Sequence, residues 1–91
     1  MITGEGALVL TSDVLSVYLV CCQEEVEIPL HNIRAVEVGV IRHKRRTRPA
    51  LFVHFVDAAS EIEDQVAITL EEPEYWKGIL DETIQRSTGQ F

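Results

Sequence analysis

Between Ala7 and Leu70 stretches of alternating apolar and other residues, the period of a half-buried strand, recur again and again, and this repeat restricts the chain to a mainly β fold. Leu8 and Leu10 mark a short first strand, and the Thr11-Ser12-Asp13 stretch after it has turn chemistry. Leu15, Val17, Leu19 and Cys21 line one face of a second strand, which Gln23 and Glu24 close into a hairpin. Val26, Ile28 and Leu30 form the inward face of a third, and Pro29 beside them suits an edge or a strand end because it cannot donate to a ladder. His31 and Asn32 mark the next bend. Val36, Val38 and Val40 give the inward face of a fourth strand, and Leu51, Val53 and Phe55 that of a fifth, which places Phe52, His54 and Val56 on the opposite face. A polar loop is expected over residues 57–64, followed by Val66, Ile68 and Leu70 on a sixth strand.

After Leu70 the period changes. Pro73 fits the first turn of a helix, where its missing N–H costs nothing, and Glu71, Glu72 and Glu74 complement the positive helix end. Trp76, Ile79, Leu80, Thr83 and Ile84 then fall on one stripe. Gly78 lies within that helix at a cost of about 1 kcal/mol relative to alanine, so packing and not propensity must hold it. Ninety-one residues suffice for one small domain, read as 1–91, with flexible ends expected at 1–6 and 87–91.

Charge is distributed unevenly along this chain. Arg42, Lys44, Arg45, Arg46 and Arg48 are five of the eight Lys and Arg residues, so a net charge of −7 leaves −12 on the rest. The spacing predicts that they sit together in a hairpin loop that Pro49 terminates before the fifth strand. Such a loop could be solvated, could meet an acidic patch on a protein, or could bind phosphate-bearing groups at about 1 kcal/mol per basic residue near an anionic lipid surface. The overall acidity disfavours nucleic acid, which would be repelled beyond the loop.

Other classes have less support. Neither His31, His43 nor His54 stands beside a nucleophile or carboxylate in a catalytic motif, and His54 reads as an ordinary surface or satisfied histidine. Gly4 and Gly6 precede a strand and not a helix, so they form no phosphate loop. No enzyme, cofactor or metal is expected. Glu61, Glu63 and Asp64 lack the regular spacing and glycine turn of a calcium loop. Cys21 and Cys22 are adjacent, which suits neither a structural disulfide nor a zinc ligand pair, and they read as free thiols in a reducing compartment. With no apolar run long enough to span a bilayer, a cytoplasmic location is expected, peripheral at a membrane if the basic loop binds lipid.

Three phrases carry a family resemblance. GEGALVLTSDVL (residues 4–15) resembles the "G-x-L-x-L-T-x-x-x-L" phrase of GRAM and bacterial or archaeal pleckstrin-homology-like domains. EIPLHNIRAVEV (27–38) is similar to their "IPL-x-x-I-x-x-V-x-V" strand, and ITLEEPEYWKGIL (68–80) to their last strand and the start of the closing helix. The resemblance implies a curved antiparallel sheet of about six strands capped by one C-terminal amphipathic helix, in a non-catalytic protein-interaction or adaptor module. It also implies a strand before the first phrase, where only Met1–Thr3 are available. An edge near residues 7–11, with Ala7, Val9 and Thr11 as contact residues, is therefore expected to receive a protein partner or a second copy in a homodimer. The alternative is a peripheral module for anionic lipid headgroups, acting through Arg42–Arg48. In phosphoinositide-binding relatives, however, the basic loop lies between the first two strands.

Overall fold

The computed structural model describes residues 2–20, 23–57 and 59–88, so Cys21 and Cys22 lie outside the described residues. Among these residues the chain is mainly β. It forms β1 (Ile2–Leu10), β2 (Val14–Leu19), β3 (Glu24–Pro29), a 3-10 turn (Leu30–Asn32), β4 (Ile33–His43), β5 (Arg46–Val56), β6 (Glu63–Thr69) and the helix α1 (Pro73–Thr88). The strands make one open mixed sheet in the order β3-β2-β1-β6-β5-β4. The β1–β2 turn is fixed by Thr11, whose hydroxyl donates to Val14 O and accepts from the Val14 amide, both at 3.1 Å. Pro29 ends β3, an edge strand of the sheet, as its missing N–H requires.

The first strand is longer than the alternation suggests. Ile2–Glu5 run parallel to β6, from Ile2↔Val66 to Glu5↔Thr69, and Gly6–Leu10 then run antiparallel to β2, from Gly6↔Leu19 to Leu10↔Leu15. Residues 2–6 are thus paired strand and not a flexible end, and the β1–β6 ladder is the one parallel pairing in an otherwise antiparallel sheet. Gly4 and Gly6 hide this from the sequence, because backbone pairing needs no apolar side chain at those positions. Gly6 stands where the strand changes partner. A Cβ built there would lie 1.8 Å from the Tyr18 carbonyl oxygen.

The core gathers the inward faces that alternation predicts. Leu15, Val17 and Leu19 from β2, Leu51 and Val53 from β5, and Val66 and Ile68 from β6 are all fully buried. Ile28, Leu30 and Val36 join them. The helix crosses this face, packing on β4, β5 and the 3-10 turn, with Leu80 fully buried and Trp76 and Ile84 half-buried against the core. Its outer side carries the i,i+4 ion pairs Lys77–Asp81 and Glu82–Arg86, each at 2.6 Å. Helix extends through residues 87 and 88, placed by the sequence reading in a frayed tail; residues 89–91 lie outside the described ones.

Candidate functional site

The basic segment lies on a hairpin that outruns the sheet. β4 and β5 are each 11 residues long, β6 has 7, and the last β5–β6 pair is Ala50↔Thr69. Beyond it Val40–His43 and Arg46–Pro49 pair only with each other, from Val40↔Pro49 to His43↔Arg46. This corrects the expectation of a loop bounded by Pro49. Only Lys44 and Arg45 form the turn, with Lys44 at φ 56°, while Pro49 stands inside β5.

The ladder tolerates that proline for a visible reason. Its carbonyl accepts the Leu70 amide at 3.2 Å, so the backbone of Pro49 faces the β6 side just where β6 ends. The missing N–H therefore interrupts no continuing ladder.

Strand alternation divides the cations. Arg42 lies on the face of Val38 and Val40, Arg46 and Arg48 lie on the other, and Lys44 and Arg45 occupy the tip. Arg48 is ion-paired with Glu5 across β6, both partners being more than half exposed. Arg42, Lys44, Arg45 and Arg46 are exposed and have no ion pair among the described residues. Positive charge therefore surrounds a protruding tip instead of filling a pocket.

Val38 and Val40 are on the inward face that their spacing predicts, but there is no core beneath them. Val38 is 37% and Val40 65% exposed, against 7% for Val36. Together with Pro49 they line an open groove whose other wall is the start of the helix: Glu71, Glu72, Glu74 and Tyr75, the last 63% exposed. Sequence reasoning assigned those glutamates only to the helix end and passed over Tyr75. Its signal was a tyrosine outside the Trp76–Leu80–Ile84 stripe.

The second expected contact region is the outer edge of β1. Ala7, Val9 and Thr11 have exposed side chains, Val9 at 59%. The Val20 amide donates to Glu5 O and the Thr11 amide to Val14 O. Antiparallel alternation therefore turns the backbones of Ala7, Val9 and Thr11 toward β2 and those of Leu8 and Leu10 away from it. The ladder to β6 has already ended at Glu5↔Thr69. The open N–H and C=O groups are thus those of Leu8 and Leu10, and Ala7 and Val9 present side chains beside them.

Elsewhere little converges. His54, expected as an ordinary surface or satisfied histidine, is partly exposed, and its Nε2 is shielded from solvent without a hydrogen-bond partner, 3.6 Å from a Glu37 carboxylate oxygen. Glu63 and Asp64 belong to β6 and not to the preceding loop. No helix among the described residues is long and apolar enough to cross a membrane. Compared with known proteins, the chain matches no family model, no curated protein and no solved structure, so the pleckstrin-homology-like resemblance rests on the sequence phrases alone.

Proposed function

We propose that this chain is a non-catalytic interaction or adaptor module that engages a protein partner through the projecting β4–β5 hairpin, with the open edge of β1 as a second contact. One observation carries the reading: Arg42, Lys44, Arg45 and Arg46 are held clear of the acidic body, exposed and without ion pairs among the described residues. At physiological salt the screening length is about 8 Å, so a protruding tip interacts largely by its own charge. A support of two paired strands also lowers the ordering cost of binding relative to a free loop. The edge near Leu8 and Leu10 offers backbone groups of the kind that accept an added strand.

The alternative, a peripheral module for anionic lipid headgroups, uses the same cations. It is disfavoured by Glu71, Glu72 and Glu74, which line the groove on one face of the hairpin and would be brought toward an anionic surface with it.

The test is the double variant Arg45→Glu with Arg46→Glu, compared with the parent in capture from native lysate at two salt concentrations. Flotation on phosphatidylcholine vesicles with and without phosphatidylserine runs in parallel. A protein retained by the parent and lost by the folded variant supports the proposal. Flotation that depends on phosphatidylserine and on both arginines establishes the lipid alternative, and neither result leaves the hairpin without a partner and overturns both.

A further inference from the structure

The face of the hairpin that continues the core carries three kinds of surface in sequence. At its base are the carboxylates of Glu71, Glu72 and Glu74, exposed and without ion pairs among the described residues. Next come Val38, Val40 and Pro49 with Tyr75, an apolar strip open to solvent. At the far end stand Arg42 and, on the turn, Lys44 and Arg45. Val38 and Arg42 are four positions apart on one strand, about 13 Å at the usual rise. The sequence acidic, apolar, basic is complementary to its own reverse.

We infer that this face is the docking surface for a second copy of the chain. Two hairpins lie antiparallel about a two-fold axis near Val40, so that the tip of each reaches the helix start of the other. This rests on the proposal that the hairpin is a contact surface, and it names the partner. A two-fold contact must be self-complementary, and this one satisfies that condition twice over. Each cationic tip meets three carboxylates, and the valines of one copy cover those of the other. The contact differs from strand addition at β1, because it buries side chains of the hairpin face and leaves Leu8 and Leu10 untouched. An acidic protein would satisfy only the tip, and an anionic membrane would face the carboxylates. A second copy supplies partners for both.

The experiment is sedimentation equilibrium of the whole chain over a range of concentrations and salt, with two charge reversals: Lys44→Glu with Arg45→Glu, and Glu71→Lys with Glu72→Lys. The parent should form a dimer that salt weakens, and each reversal alone should raise the dissociation constant on the order of tenfold or more. Mixing the two variants should restore association as a heterodimer, since each then carries the complement of the other. Val40→Asn tests the apolar strip without changing charge: it should weaken the dimer while the monomer keeps its unfolding midpoint, Val40 being largely exposed in a single copy. A parent that stays monomeric overturns the inference, and so does a dimer that survives both reversals or reversals that mixing does not rescue. If such a monomer still loses a captured protein on Arg45→Glu with Arg46→Glu, the broader reading of the hairpin stands while the second copy is excluded.

Discussion

Replacing Gly6 with alanine should damage this fold more than its chemistry suggests, because the added methyl group has nowhere to go. Its carbon would sit 1.8 Å from the Tyr18 carbonyl oxygen, 2.9 Å from the carbonyl carbon and 3.2 Å from the Leu19 Cα. A normal carbon–oxygen contact is about 3.3 Å, so the strands must part by roughly 1.5 Å. All three obstructing atoms are backbone, which no rotamer change can move. Overpacking of this kind costs about 1–3 kcal/mol, and opening the ladder beside Gly6↔Leu19 forfeits about 0.5–1.5 kcal/mol per hydrogen bond. Against this, alanine restricts the unfolded chain and returns about 0.4–1 kcal/mol. The net loss is about 1–4 kcal/mol, which for a domain of this size lowers the melting temperature by roughly 4–30 °C. Urea and thermal unfolding followed by fluorescence of Trp76, the only tryptophan, measure it directly. A variant that unfolds with the parent's midpoint would show that β1 does not cross between its two partners at Gly6.

Gly78→Ala should have the opposite sign: a Cβ there meets nothing within 4 Å, so helix propensity alone should raise stability by up to about 1 kcal/mol in the same assay. Leu80→Ala should cost about 2–5 kcal/mol, whereas Trp76→Ala, removing a half-buried ring, should cost about 2–3 kcal/mol, below the range for an enclosed aromatic. Circular dichroism follows both, and an unchanged midpoint for Leu80→Ala would place the helix elsewhere. In the monomer, the amides of Leu8 and Leu10 should exchange with solvent faster than those of Ala7 and Val9; equal protection would mean that something already covers the outer edge of β1.

The parts of the fold legible in the sequence are those with local patterns. Leu15, Val17, Leu19, Leu51, Val53, Val66 and Ile68 alternate, and all are buried; Pro73 marks the helix start. The pairing of β1 with β6 has no such signature, because a parallel ladder joins distant segments and the residues involved include Gly4. Period alone could not reveal that Val38 and Val40 lie beyond the core, since the same alternation runs through a strand whether or not a helix covers it. The basic residues were legible as a group, but their division between two faces required the register across the Lys44–Arg45 turn.

The ladder between the first and last strands also bears on how the chain assembles. The β2–β3 hairpin and the β4–β5–β6 meander join neighbours in sequence and can form independently. Ile2 and Val66 are 64 positions apart (66 − 2), against 3 (46 − 43) for His43 and Arg46, so closing that loop costs roughly 2.7 kcal/mol more in chain entropy. Closure of this kind follows the local pairings and slows folding as contact order rises. During synthesis the residues of β1 that pair with β6 must wait until β6 has been made. Until then Ile2, Thr3, Gly4 and Glu5 lack the neighbour that later runs beside them. In that interval the nascent chain is most open to pairing with the wrong strand.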